Sequence, residues 1–180
     1  MGKTHGGFLL GKLSPLSQTP AGSMGGMRTL NLSLRPVLPE DAPLLHQLFL
    51  RSPGYFALIG MEPPALEDVA RDLATLEKDE RRRAFLLYLE EEAVGYLDYK
   101  LRYPEPEDAT LSLLLIREDR QGQGLGRRAL EHLLNHLTGA ERLYAVVYGN
   151  NARAKAFFQA QGFRHVKDGG PTLSWYVREL

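Results

Sequence analysis

The chain has 180 residues, of which 43% are hydrophobic and 24% charged, and its formal net charge at pH 7 is zero. This length and composition predict one folded domain rather than a disordered chain, and the balanced charge argues against nucleic-acid binding by broad neutralisation of phosphates. The lack of cysteine excludes disulfides, thiolate metal sites and a cysteine nucleophile, and no apolar run reaches the ~18 residues of a membrane-spanning helix.

The first 26 residues are rich in Gly, Ser, Pro and Thr. We interpret residues 1–26 as a flexible N-terminal tail, or as sequence upstream of a start at Met27, and residues 27–180 as the folded domain. The apolar part of the tail, residues 8–10, is too short for a secretory signal. A cytoplasmic protein is therefore expected.

The first half of the domain begins with a strand and two helices. Residues 30–37 alternate apolar and polar side chains, which indicates a strand. The acidic pair Glu40 and Asp41 begins a first helix, and a second helix covers about residues 65–77. Between the helices, residues 52–64 are predicted as an irregular loop that is unusually aromatic and apolar.

The second half of the domain contains the remaining strands and two more helices. Residues 109–116 are apolar on both faces, which is typical of a central strand covered on both sides. A glycine-rich turn then leads into a helix that ends near Gly139. Apolar spacing and turn residues predict the other elements: a hairpin over 84–89 and 93–101, a strand over 143–148, a helix over 152–161, and closing strands over 163–167 and 173–178. This order indicates an α/β fold with a mixed sheet.

The most informative segment runs from Gln121 to Gly126, between the central strand and the next helix. Glycines at positions 122, 124 and 126 leave the backbone amides uncovered by side chains. The first turn of a helix also has unpaired N–H groups and the positive end of the helix dipole. Together these groups form an anion site suited to a pyrophosphate. A plain strand-to-helix turn is the alternative, but such a turn seldom needs three glycines.

Two common phosphate-binding motifs do not fit this turn. A Walker loop needs Gly-Lys-Ser/Thr, and no such sequence follows Gly126. A G-x-G-x-x-G dinucleotide fingerprint would need glycine where Arg127 stands. That fingerprint also belongs near the start of a parallel βαβ array, not two-thirds along a short chain.

Residues 121–126 resemble the Q/R-x-x-G-x-G/A signature of the GCN5-related N-acetyltransferase (GNAT) family. A second signature of that family follows at the expected distance: Asn151-x-x-Ala154-x-x-Phe157-Phe158-x-x-x-Gly162-Phe163. The resemblance covers about residues 29–178. It implies a single-domain GNAT (acyl-CoA N-acyltransferase) fold, with a mixed, mostly antiparallel sheet of six or seven strands. About four helices would flank this sheet, which would splay open between its fourth and fifth strands.

The resemblance also implies a reaction, in which a primary amine directly attacks the thioester of acetyl-CoA and no metal takes part. The turn amides would contact the pyrophosphate, and the end of the fourth strand would pair with the pantetheine arm as an added strand would. Asn151 would contact the pantetheine, and Phe158 would lie near the thioester sulfur. The residues expected to bind acetyl-CoA are Leu114, Leu115, Ile116, Gln121, Gly122, Gln123, Gly124, Leu125, Gly126, Arg127, Asn151 and Phe158.

Acetyl transfer needs a neutral amine, so a base or a water chain must remove a proton. Many family members place a Glu on the fourth strand, but residues 109–116 contain no acid. Asp98 on the neighbouring strand is the best substitute, and a solvent-facing position is the alternative for it.

Phe158 stands where the family often has a Tyr that protonates the leaving thiolate. Tyr148 is a candidate acid in its place, but we prefer that no acid acts, because a thiolate of pKa about 8.5 leaves readily near neutral pH.

The resemblance also implies that the acceptor contacts the first two helices and the loop between them, here residues 52–64. That loop has no dense acidic groove, so we expect a small or partly apolar amine, carried by a small molecule or a peptide, and neither nucleic acid nor membrane as partner. The oligomeric state stays open, with a homodimer as one candidate. The alternative function is an acyl-CoA-binding regulatory module with little or no catalysis, and transfer of another acyl group is a third hypothesis.

Overall fold

The computed structural model describes residues 29–180, so the predicted tail over residues 1–26 and the predicted domain start at residue 27 lie outside the described residues. Seven strands and five α-helices follow one another within this part of the chain. In chain order they are β1 (Leu32–Pro36), α1 (Ala42–Leu50), α2 (Pro53–Leu58), α3 (Leu66–Leu76), β2 (Arg82–Leu89), β3 (Glu92–Leu101), β4 (Asp108–Ile116), α4 (Leu125–His136), β5 (Arg142–Tyr148), α5 (Ala152–Ala160), β6 (Arg164–Asp168) and β7 (Leu173–Glu179).

The strands form one sheet in the order β1-β2-β3-β4-β5-β7-β6. All neighbours in it are antiparallel except β4 and β5, which run parallel. The two parallel strands pair only from Asp108 to Leu111, whereas β4 stays paired with β3 as far as Ile116. The sheet therefore opens between β4 and β5, which confirms the predicted mixed sheet and its splay.

Helices cover both faces of the sheet. Alternate residues of a strand point to opposite faces, and on β3 Leu97 packs on one side and Tyr96 on the other. The Leu97 side is covered by α4 and α5, with Leu130 and Leu133 fully buried. The Tyr96 side is covered by α1, α2 and α3. The opening between β4 and β5 therefore lies between two helical layers.

One predicted loop is partly helical. Residues 53–58, expected to be irregular, form the short helix α2. Pro53 stands in the first turn of this helix, where its missing N–H costs nothing. Phe56 is buried edge-on against Phe49 of α1, with ring centroids 5.6 Å apart. The proline that ends α1 thus also starts the next helix.

The longest described helix is α4, with 12 residues. None of the helices between residues 29 and 180 is both long and apolar enough to cross a membrane.

Candidate active site

The turn between β4 and α4 takes a conformation that only glycine adopts easily. Gly122 and Gly124 have φ angles of +80° and +78°, in the left-handed region that L side chains rarely occupy. Gly126 lies inside α4, and a Cβ there would touch the ring of Phe157 at 3.4 Å. The backbone conformation of the turn therefore requires glycine at positions 122 and 124, and the close packing of α4 against Phe157 requires it at position 126.

The backbone amides of this turn stay available. Within residues 29–180, the N–H groups of residues 122–127 donate to no backbone or side-chain acceptor, and the first amide to bond is that of Arg128, to the carbonyl of Gly124 at 3.1 Å. A Cβ built on Gly122 would find open space. These donors and the positive end of α4 converge on solvent, so the chain itself offers a site that fits a diphosphate.

A cleft of about 330 Å³ lies beside the turn. Three arginines line it: Arg120, Arg127 and Arg153. Arg153 donates from Nη1 to Oε1 of Gln121 at 2.8 Å, and Nε2 of Gln121 donates to the carbonyl of Ile116 at 3.0 Å. The Gln121 side chain thus ties the end of β4 to α5 across the cleft. Positive charge and free amides in one place favour an anionic ligand.

A buried ion-pair cluster supports the segment between β4 and the turn. Arg117 is 4% exposed and contacts Glu92 and Asp119, with 2.5 Å from its Nε to Oδ1 of Asp119. Glu92 also pairs with Arg120. Because buried charges need partners, this cluster determines how the chain leaves β4.

The edge of β4 beyond Leu111 has free backbone groups. The N–H of Arg117 donates to the carbonyl of Val94 on β3 at 2.7 Å. Since alternate residues of an antiparallel strand bond to the same neighbour, Leu115 also faces β3, and the backbone groups of Leu114 and Ile116 point the other way. Among the described residues no strand pairs with them there, although the carbonyl of Ile116 accepts from Nε2 of Gln121. An extended ligand can therefore bond to this edge as an added strand.

A narrow cavity of about 20 Å³ lies in the opening between β4 and β5, and we call this cavity the slot. Asn151 lines it and is 2% exposed; its Oδ1 caps α5 by accepting from the N–H of Ala154 at 3.0 Å. Its amide nitrogen donates to no group within residues 29–180, and a buried donor requires a partner. Phe158 is buried at the same place. Ala154 lines both the slot and the cleft, so the two are contiguous.

Asp98 is buried rather than solvent-facing. Its carboxylate accepts hydrogen bonds from Arg82 (Nε to Oδ1, 3.1 Å; Nη2 to Oδ2, 2.6 Å) and from the hydroxyl of Tyr96 at 3.2 Å. Burial raises the pKa of Asp98, and the Arg82 guanidinium works in the opposite direction. Asp98 lines neither the slot nor the cleft. Its role as general base stays a prediction.

Two tyrosines line the slot from the other side, Tyr148 at the end of β5 and Tyr55 on α2. Burial raises the pKa of both hydroxyls; the charge of Asp98 adds to the effect on Tyr148, and Tyr148 adds to the effect on Tyr55. Sequence reasoning placed Tyr55 only among the acceptor-loop residues. Its position at the slot depends on Gly149, where a Cβ would lie 2.6 Å from the carbonyl oxygen of Leu58. The close approach of α2 to Gly149 gives no signal in the sequence beyond the glycine itself.

Within residues 29–180, no group of three or more His, Asp or Glu side chains could hold a metal ion.

Known proteins resemble this chain in sequence. The family model described as "Acetyltransferase (GNAT) family" matches residues 44–163. The spermine/spermidine N(1)-acetyltransferase of Bacillus subtilis (strain 168) is 33% identical over 87 residues, which cover 43% of this chain and 57% of that protein. The [ribosomal protein bS18]-alanine N-acetyltransferase of Escherichia coli (strain K12) is 41% identical over 59 residues, 32% of this chain and 40% of that protein. The chain thus spans about half the length of these curated relatives.

Solved structures extend the likeness to the whole fold. A crystal structure of an acetyltransferase from Thermus thermophilus is 73% identical, covers 86% of this chain and 100% of its own, and has a TM-score of 0.83. The ribosomal L7/L12 α-N-protein acetyltransferase RimL in complex with coenzyme A is 19% identical, with coverages of 86% and 97% and a TM-score of 0.69. AAC(6')-Ib with paromomycin and acetyl-CoA is 21% identical, with coverages of 83% and 93% and a TM-score of 0.67. The last two likenesses show the fold alone.

Proposed function

The chain belongs to the acetyltransferase (GNAT) family, and we propose that it is an N-acetyltransferase that moves the acetyl group of acetyl-CoA to a primary amine. One observation carries the proposal: the free amides of residues 122–127 lead directly to the open edge of β4. Coenzyme A combines a diphosphate with an arm of amide groups, and these two surfaces match both parts. When bound, acetyl-CoA supplies an acetyl group activated as a thioester.

The structure supports a role for each part of the predicted binding set. The amides from Gln121 to Arg127 would hold the diphosphate, assisted by the arginines of the cleft. The backbone groups of Leu114 and the N–H of Ile116 would bond to the pantetheine arm, because the Ile116 carbonyl already accepts from Gln121. Leu115 pairs with β3 and would hold this part of the strand in place. The buried amide nitrogen of Asn151 would donate to the same arm. Phe158 would exclude water from the slot beside the sulfur.

Asp98 is proposed to take the proton that leaves the amine, and Tyr148 remains the candidate acid for the leaving thiolate. Burial raises the pKa of Tyr148 and the charge of Asp98 adds to this effect, so the two groups are coupled electrostatically. Because Asp98 lines neither cavity, it would act through Tyr148 or through solvent rather than by direct contact with the amine. With its raised pKa, Tyr148 stays protonated near neutral pH and would donate a hydrogen bond rather than act as a base.

The acceptor is proposed to be a small or partly apolar amine, including the amine of a peptide. No carboxylate lines the slot among the described residues. A groove of about 480 Å³ adjoins Gly149 and the end of α2, and its charged residues are Lys155 and Asp168, one of each sign. Asp168 is already held by His165 and Ser174. These walls are poorly suited to a polycation, which needs several free carboxylates.

An acyl-CoA-binding module with little or no catalysis is the alternative function. Phe158 and residues 109–116 of β4, which contain no acid, favour it, because neither supplies a group for proton transfer at the slot. Transfer of another acyl group would need a wider slot than the present one. The cytoplasmic location and the homodimer stay predictions from the sequence.

Release of free thiol from acetyl-CoA across a panel of amines tests the proposal. The panel contains n-butylamine, phenethylamine, spermidine and a short peptide with a free N-terminal alanine. We expect release above the buffer rate with an apolar amine or the peptide, and a lower kcat/KM with spermidine. Tight binding of coenzyme A with no release for any amine would support the binding module instead.

A further inference from the structure

The hydroxyl group of Tyr55 lies at the slot, and the packing of the Tyr55 ring does not need it. Its side chain lines the slot together with Tyr148, Asn151 and Phe158. Within residues 29–180, the hydroxyl takes part in no hydrogen bond, although the side chain is half-buried. A polar group that is partly withdrawn from water and has no partner costs free energy. A ligand in the slot would offset this cost.

The contacts of α2 hold Tyr55 in place. The Oγ of Ser52, just before α2, donates to the carbonyl of Leu48 at 2.8 Å. Phe56 packs against Phe49 of α1, and the end of α2 lies against Gly149. The Tyr55 ring itself meets Phe56 edge-on, with centroids 5.1 Å apart. The hydroxyl is therefore presented to the slot by a helix anchored on both sides.

The chemistry of the slot identifies what this hydroxyl would bind. An attacking amine enters from the side that α2 covers, because the other side continues into the cofactor cleft through Ala154. Its N–H groups need hydrogen-bond acceptors that hold the nitrogen lone pair toward the thioester. The slot has no carboxylate among the described residues, and Oδ1 of Asn151 is already used as a helix cap. A hydroxyl oxygen is suited to this task.

We propose that Tyr55 is a catalytic residue that touches the acceptor: its hydroxyl oxygen accepts a hydrogen bond from the amine nitrogen and orients it for attack. This inference rests on the proposed function. Burial and the neighbouring Tyr148 raise the pKa of Tyr55, so the hydroxyl stays neutral near physiological pH. Tyr55 therefore orients the amine and does not deprotonate it.

The substitution Tyr55→Phe tests the proposal, because it removes the hydroxyl and keeps the ring that packs on Phe56. With the best amine of the panel, we expect KM for the amine to rise about three- to tenfold, the range of a single hydrogen bond. The dissociation constant for coenzyme A should stay within about twofold. A second readout needs no turnover: a bisubstrate compound, coenzyme A joined through a –CH2–CO– bridge to the nitrogen of that amine, should lose affinity for Tyr55→Phe relative to coenzyme A itself.

Tyr144→Phe is the matched control, since Tyr144 lies on β5 and packs edge-on against Trp175 away from the slot. Tyr144→Phe should change neither the KM for the amine nor the affinity for the bisubstrate compound. An unchanged amine KM and bisubstrate affinity in Tyr55→Phe would overturn the inference while leaving the acetyltransferase proposal intact. Loss of coenzyme A affinity in that variant would overturn it too, because the role would then be structural. If the unmodified protein releases no thiol with any amine, the proposed function itself fails.

Discussion

Single glycines in the turn after β4 decide whether its amides can meet an anion. Gly124 has a φ of +78°, and a Cβ there would contact only the guanidinium of Arg127, at 3.6 Å. The space would tolerate a side chain, but the backbone conformation would not, and the side chain would lie over the amides.

Gly124→Val should weaken coenzyme A binding by on the order of tenfold or more, which corresponds to ~1.4 kcal/mol. The strain of a left-handed valine adds about 1–2 kcal/mol of destabilisation. Calorimetric titration with coenzyme A measures the effect. Gly139→Val is the control, because Gly139 has a similar φ of +89° and open space but lies after α4, away from the cleft. Equal affinity losses in both variants would point to general instability and count against the turn as the diphosphate site.

A single substitution can also distinguish a catalytic role of Asp98 from a purely structural one. Asp98→Asn should lower kcat with the best amine on the order of 100-fold, the lower range for loss of acid–base catalysis, with coenzyme A affinity unchanged. Its control is Asp72→Asn, because the exposed Asp72 binds the same Arg82 (Nη2 to Oδ2, 2.8 Å) from the other side. Steady-state rates of both variants give the answer: a similar fall in each would mean that Arg82 needs its carboxylates for structure alone.

At the level of elements, two separately built sites, one for an anion and one for the reacting groups, meet at the opening between β4 and β5. The helix α4 and the glycine turn provide the anion site, and the divergence of β4 from β5 provides the slot. The helix α2 covers the acceptor side because Gly149, with a φ of +66°, lets its backbone approach. The cofactor side and the acceptor side should therefore respond independently to substitution.

Gly149→Val tests this independence. Its Cβ would lie 2.6 Å from the carbonyl oxygen of Leu58 and 2.8 Å from Cα of Ile59, so α2 must move. We expect kcat/KM for the amine to fall while coenzyme A affinity stays within about twofold, with a loss of stability of about 1–3 kcal/mol from overpacking. Gly139→Val, at a φ of +89° with open space and away from the slot, the cleft and the groove, should leave the kinetics unchanged. A parallel loss of coenzyme A affinity in Gly149→Val would show that the two sides are coupled.

The molecule as a whole should gain stability from its ligand. Coenzyme A at 100 times its dissociation constant adds about 2.7 kcal/mol to the free energy of unfolding. For a domain of this size, that corresponds to a rise in Tm of about 5–10 °C. Pantetheine at the same concentration lacks the diphosphate and should give a much smaller shift in a thermal melt. Equal shifts for the two compounds would exclude the turn as the main binding determinant.

Much of this architecture is predictable from local patterns. Strands β2 to β5 and β7 follow apolar spacing, and the family signatures locate the turn and the start of α5. The missed element is α2, because a proline that breaks one helix can also begin the next. The placement of Asp98 was only half predictable: alternation on β3 allows two faces, and its partner Arg82 lies 16 residues away on another strand.

By itself, the sequence determined the family and the anion-binding turn, because glycine conformations and unpaired amides at a helix start are properties of neighbouring residues. Only the tertiary structure decided what surrounds the slot. The end of the β4–β5 pairing, the approach of α2 to Gly149 and the free hydroxyl of Tyr55 all arise from contacts between segments far apart in the chain. Such contacts depend on how the helical layers pack against the sheet, and no local pattern of residues encodes that packing.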